Sequence, residues 1–192
     1  MKKVLVINGH PDPASYNYAL ADAYTRGLAT SGAAIARINI AELQFNPNLQ
    51  FGYRQRTELE PDLLAALEKI KEADHLVWVF PMWWYGYPAM MKGFIDRTFL
   101  PGITFQPVEG KPFPKKLLKG KTARIIVTAD TPRWYDWLFM KGPTLNQFKK
   151  GTLEFCGVSP VKVTYIAVVK DSSPDFRQQW IATVEKLGAQ GA

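Results

Sequence analysis

The apolar positions of this chain follow two periods that take turns along its length. Residues 3–8 (KVLVIN) form a short β-branched run closed by Gly9-His10-Pro11-Asp12-Pro13, which predicts a strand and then a loop. From Ser15 the period changes. Leu20, Ala23, Tyr24 and Leu28 recur near helical spacing as far as Ser31-Gly32, with Ser15 as the expected N-cap. Residues 34–40 alternate as a second strand, and residues 43–60 form a loop rich in Asn, Pro, Gln and aromatics. Leu63, Leu64, Leu67 and Ile70 then predict a helix, with Pro61 in its first turn, where a missing amide hydrogen costs nothing. Residues 75–80 (HLVWVF) are almost continuously apolar, as in a strand buried on both faces of a parallel sheet.

The alternation continues to the C-terminus. A helix over 89–99 turns Met90, Met91, Phe94 and Ile95 inward, and a long loop covers 100–121. Residues 122–128 (TARIIVT) form a fourth strand, 130–143 an aromatic loop, 144–155 a helix, 161–169 a fifth strand and 175–187 a closing helix. Five strands alternating with five helices imply an α/β fold with right-handed crossovers and helices on both faces of a parallel sheet. The expected strand order is 2-1-3-4-5, that of a flavodoxin-like three-layer sandwich. With no internal repeat or linker, residues 1–192 are expected to form a single domain. Loops as long as 43–60, 100–121 and 130–143 mark a site or an interface.

Composition narrows the compartment and the partner. A hydrophobic share of 47% against 21% charged residues suits a self-sufficient core. The single cysteine, Cys156, excludes an internal disulfide and lies at the apolar end of a helix, as an inert buried thiol would. The opening apolar run is too short for a signal peptide and no segment is long enough to span a bilayer. A cytoplasmic protein without membrane insertion is therefore expected. The net charge of +7 raises nucleic acid or a small anion as partner. Basic residues are scattered except for Lys115, Lys116, Lys119 and Lys121. These read either as a solvated loop or as attraction for a phosphate-bearing cosubstrate. No nucleic-acid-binding module is visible. His10 and His75 lack ligand spacing, so no metal is expected, and no serine sits in a G-x-S-x-G elbow.

In an open α/β sheet the ligand lies at the carboxyl ends of the strands, where strand order reverses. Three predicted loops meet there: 9–17, 81–88 and 128–132. The first leads into a helix N-terminus, whose free amides suit a phosphate, and His10, Ser15 and Asn17 could add donors. Read structurally, Ser15 is only a cap and His10 a turn residue. Neither G-x-G-x-x-G nor G-x-x-x-x-G-K-[ST] is present, which disfavours a Rossmann dinucleotide domain and a P-loop NTPase. The second loop carries Trp83, Trp84, Tyr85 and Tyr87 directly after a buried strand, a wall against which a flat ring can stack.

Three segments, NGHPDPASYNYAL, ADHLVWVFPMWWYGYPAMMKGFIDRTFLPGITF and FCGVSPVKV, resemble the flavodoxin-like NAD(P)H:quinone oxidoreductase family. That family includes modulators of drug activity and ancillary subunits of potassium efflux systems. The resemblance covers nearly the whole chain. It implies that His10, Ser15, Tyr16 and Asn17 bind the flavin phosphate and ribityl chain. Pro81, Met82, Trp83, Trp84 and Tyr85 would line the isoalloxazine, flanked by Thr128, Ala129 and Asp130. Two departures stand out. Thr128-Ala129-Asp130-Thr131-Pro132 replaces the Thr-Gly-Gly type of turn found in many relatives, and Trp83 stands where some quinone reductases have a polar residue. The implied activity passes hydride from NAD(P)H through flavin N5 to a quinone-like acceptor. With one shared ring face the kinetics are ping-pong, and Tyr85, Asp130 and His10 are the candidates for proton delivery. FAD is the expected cofactor, with FMN the alternative, and a homodimer the expected assembly. The rival reading is a flavin-binding regulatory subunit docked on a transporter with little turnover, its interface made by Tyr53, Arg54, Phe105, Trp134, Trp137 and Phe139.

Overall fold

The computed structural model describes residues 1–191. Strands β1 (Lys3–Asn8), β2 (Ala34–Asn39), β3 (His75–Pro81), β4 (Thr122–Ala129) and β5 (Val161–Ala167) form one parallel sheet. Its order is 2-1-3-4-5, as predicted. The apolar run of β3 explains its central place, since every residue from His75 to Pro81 is buried, whereas edge strand β2 buries only Ile38.

Helices α1 (Tyr16–Ala29) and α6 (Pro174–Ala189) cover one face. They close on Val4, Val6, Val77, Val79, Ile126 and Ile166. Helices α2 (Pro61–Glu72) and α3 (Ala89–Thr98) cover the other, together with α5, a short turn Pro143–Leu145 that runs into a π-helical stretch Asn146–Glu154. Trp78, Phe80 and Phe148 interlock there edge to face, with centroids 5.0 to 5.5 Å apart.

The long loops hold more order than their sequences suggest. Residues 130–143 contain a helix, α4 (Arg133–Leu138), and residues 105–106 pair antiparallel with 115–116. Of the basic cluster, Lys121 is not free: its ammonium donates to the carbonyls of Lys71 and Ala73 at 2.5 and 2.6 Å and so caps α2. Cys156 is buried, and burial pushes its thiol pKa up, as expected of an inert cysteine.

His75 opens β3 with Nδ1 2.6 Å from the Thr122 hydroxyl and Nε2 buried without a partner. Burial, helped by the cations Lys2, Arg124 and Lys162, depresses its pKa to about 4. An unfolded histidine titrates near ~6.5. Between those values the unfolded chain binds a proton that the folded chain refuses, so stability falls as pH drops through the window. Urea midpoints measured from neutral to acid pH should decline there, and the His75→Gln variant should lose that part of the slope. A slope equal in both would refute the assignment.

Candidate functional site

Three loops converge at the carboxyl ends of β1, β3 and β4, and hydrogen bonds stitch them together before any ligand arrives. Gly9 N donates to Val79 O at 2.9 Å, joining the first loop to β3. Met82 N donates to Thr128 O at 2.7 Å, joining β3 to β4. The buried side chains of Asn17 and Thr128 close the third side at 3.0 Å. A Cβ on Gly9 would lie 2.6 Å from the sulfur of Met91, so a side chain there would require that methionine to shift.

The first corner is an anion-ready helix start. Ser15 caps α1 through its side chain, and no acidic residue occupies the first turn. The amides of Tyr16 and Asn17 have no acceptor among the described residues, which leaves them, with the dipole behind them, for a phosphate. His10 leans edge-on against Trp83, with ring centroids 5.5 Å apart. Its Nδ1 accepts from Asp12 N at 3.0 Å, so the neutral ring carries its hydrogen on Nε2. Burial lowers the His10 pKa against the pull of Asp12, which keeps that neutral donor form at physiological pH. The hydroxyl of Tyr16 donates to Arg177 O at 2.9 Å, so that phenol serves the contact with α6.

The second corner is a tight hairpin. Trp83 and Gly86 exchange both backbone hydrogen bonds at 2.9 Å, and the two residues between them, Trp84 and Tyr85, have φ of 49° and 56°. Those angles are the signature of a type I′ turn. Trp84 stands at the tip, 99% exposed. With Met82, Trp83, Tyr85, Asp130 and Thr131 it lines an open cleft of about 550 Å³. Tyr87, grouped with these aromatics in the sequence, turns away and packs in the core against Phe80 and Phe148.

The third corner comes from β4. Pro81, Thr128 and Ala129 are buried at the strand ends, and none of the three lines the cleft. Asp130 is exposed, and one carboxylate oxygen accepts from Lys170 N at 2.7 Å, tying this loop to the one after β5. Sequence reasoning passed over Asn8. Fully buried at the tip of β1, it accepts from His10 N at 3.1 Å and keeps an amide hydrogen pair without a partner. A polar residue closing an apolar strand was the available signal.

Cleft, free helix amides and aromatic wall together fit a phosphate-bearing planar ring system. A family model described as the flavodoxin-like fold matches residues 2–187. The chain belongs to the flavodoxin-like fold family. Within that family it is similar to NAD(P)H dehydrogenase [quinone] 1 of Cavia porcellus, 27% identical over 97% of this chain and 76% of the relative. Among solved structures, Smu.1420 from Streptococcus mutans superposes with a TM-score of 0.85 at 27% identity, covering 98% of this chain and 99% of that one. An FMN-dependent NADH-azoreductase from Bacillus anthracis, solved with FMN, shares the flavodoxin-like fold. Its TM-score is 0.78 at 19% identity, over the full length of both chains.

Proposed function

We propose that this protein is a flavin-dependent NAD(P)H oxidoreductase that delivers reducing equivalents to a quinone-like acceptor. The observation that carries the reading is the stitched three-loop corner, in which free amides of α1 and an aromatic cleft sit side by side at the switch point of the sheet. The similarity to a quinone-reducing NAD(P)H dehydrogenase over 97% of the chain supports it.

The amides of Tyr16 and Asn17, with His10 Nε2–H and Ser15, would hold the flavin phosphate. Met82, Trp83 and Tyr85 would face the ring system, with Asp130 and Thr131 on the opposite rim and Thr128 and Ala129 buried behind them. When bound, the flavin supplies hydride acceptance at N5 and return of that hydride to the acceptor. The protein contributes binding, orientation and exclusion of water. Because Trp83, Trp84 and Tyr85 border a single cleft, nicotinamide and acceptor take turns in it, and the kinetics are ping-pong. Tyr85, His10 and Asp130 are the candidates for proton delivery; Tyr85 lines the cleft, whereas the Nε2–H of His10 is given to the phosphate in this reading. Asp130 is less free for that role because it holds the Lys170 amide. FAD and FMN share the phosphate corner, and the azoreductase with this fold uses FMN.

A docking reading has one observation of its own. Helix α4 presents Trp134, Trp137 and Leu138 to solvent, with Phe139 beside them, a face that would suit a protein partner or a second copy of the chain.

The visible spectrum of the purified protein tests the main reading. Flavin bands that bleach on addition of NADH or NADPH and return with a small quinone are expected, and chromatography of the heat-released cofactor identifies FAD or FMN. A colourless protein that takes up neither flavin and oxidises neither nucleotide would refute the activity and leave docking as the reading.

A further inference from the structure

A second cavity, of about 720 Å³, opens between α4, α5 and β5. Its chemistry differs from that of the cleft. Arg133, Lys141, Lys149 and Lys150 converge on it, with Trp137 at the lip. Among the described residues Arg133, Lys141 and Lys150 form no ion pair, and Lys149 has only a loose 3.8 Å contact with Glu154. Unpaired cations gathered around a concave surface repel one another, and an anion in the cavity relieves that repulsion.

Helix α4 supplies the other unusual feature. Its only buried residue is an acid: Asp136 is 2% exposed, and its Oδ1 has no hydrogen-bond partner. An orphaned buried carboxyl oxygen lining a cavity is suited to a ligand hydroxyl or amine. Burial raises the pKa of that carboxyl, which lessens its conflict with an anion bound beside it.

Place then suggests identity. Thr131 lines the aromatic cleft, and Arg133, two residues on, lines the basic cavity, so the two share the start of α4 as a common wall. A molecule with a flat redox ring in the cleft and a phosphorylated nucleoside at its other end could occupy both. We propose that the basic cavity receives the adenosine end of the nicotinamide cosubstrate and selects its phosphorylated form, NADPH. Arg133, Lys141 and Lys150 take the 2′-phosphate, Trp137 stacks on the adenine, and Asp136 bonds a ribose hydroxyl. The inference rests on the oxidoreductase reading above and adds which nucleotide that site prefers. The physics is that of other phosphate sites. An arginine fork matches phosphate oxygens in pairs, lysines add point charge, and an exposed tryptophan face stacks on a base or cation.

Calorimetric titration of the flavin-loaded full-length protein tests the cavity independently of turnover, with 2′,5′-ADP and 5′-AMP as probes. The first should bind at least about tenfold more tightly, with an advantage that shrinks as salt rises. In the double variant Arg133→Ala/Lys150→Ala that advantage should fall about tenfold, and the ratio of kcat/KM for NADPH to that for NADH should fall with it. Both side chains are exposed and make no ion pair, so the fold does not depend on them. Equal affinity for the two probes, or a ratio unmoved by the double variant, overturns the cavity assignment and leaves nucleotide oxidation intact. Tight binding of 2′,5′-ADP by a protein that oxidises neither nucleotide would instead refute the activity and uphold the phosphate site.

Discussion

Glu60→Ala is expected to lower the free energy of unfolding by about 3–5 kcal/mol, the cost of stranding a buried charge. Arg97, on α3, is 1% exposed. Its guanidinium donates to both carboxylate oxygens of Glu60 at 3.2 and 2.8 Å and to the carbonyls of Asn46 and Glu58 at 2.5 and 2.6 Å. Burial works against the Glu60 charge, yet the Asn46 amide and Arg97 overcome it and hold the carboxyl pKa below its usual range. Without that carboxylate the cation keeps two loop carbonyls and no counter-charge. For a chain of 192 residues the loss corresponds to a fall in Tm of about 10 °C. The double variant Glu60→Leu/Arg97→Met, which removes both charges, should recover much of it. Thermal melts of the two variants decide the matter. A single variant as stable as the parent would mean that water reaches Arg97.

The second large effect lies on the opposite face of the sheet. Helices α1 and α6 touch backbone to backbone at two glycines. A Cβ on Gly27 would sit 1.9 Å from Glu185 O, and one on Gly188 would sit 2.2 Å from Tyr24 O. The obstacle in both cases is a helix carbonyl, not a side chain that can swing aside. Gly27→Ala must therefore push the helices apart, against the ~0.5–1 kcal/mol that alanine gains in helix propensity. A net cost of about 2–3 kcal/mol is expected, near the upper end for over-packed cores. Helix α1 also carries Ser15, Tyr16 and Asn17 at its far end, so its displacement strains the Asn17–Thr128 contact. Flavin affinity should fall together with the denaturation midpoint. Unchanged values of both would show that the pair yields without cost.

How much of this was legible in the sequence depends on how local the signal is. The strands could be read because burial on both faces leaves an uninterrupted apolar run, as in residues 75–80. The helix start at Ser15 could be read because a cap is a one-residue signal. Helix α4 was hidden because its pattern is inverted, with aromatics outside and Asp136 inside, which periodicity reads as a loop. The helix over 144–155 was expected, but its π-helical ladder was not, since a shift in hydrogen-bond register leaves no mark in composition. That three loops would meet at the carboxyl ends of β1, β3 and β4 could be read from the order of the strands. The Asn17–Thr128 contact, 111 residues apart, and the inward turn of Tyr87 depend on the assembled sheet.

The Trp84–Tyr85 turn bears on any attempt to redesign this molecule. A two-residue hairpin turn with both φ angles positive is ordinarily written Asn-Gly, because a side chain with a bulky Cβ costs about 1–2 kcal/mol in that conformation. This chain places two aromatics there and leaves one of them 99% exposed, so neither backbone preference nor burial accounts for the choice. Turn shape and ring surface are thus separable by substitution: Asn-Gly would keep the first and remove the second. Flavin affinity and unfolding midpoint of that variant, compared with the parent's, would separate what the rings give to the cleft from what they cost the fold.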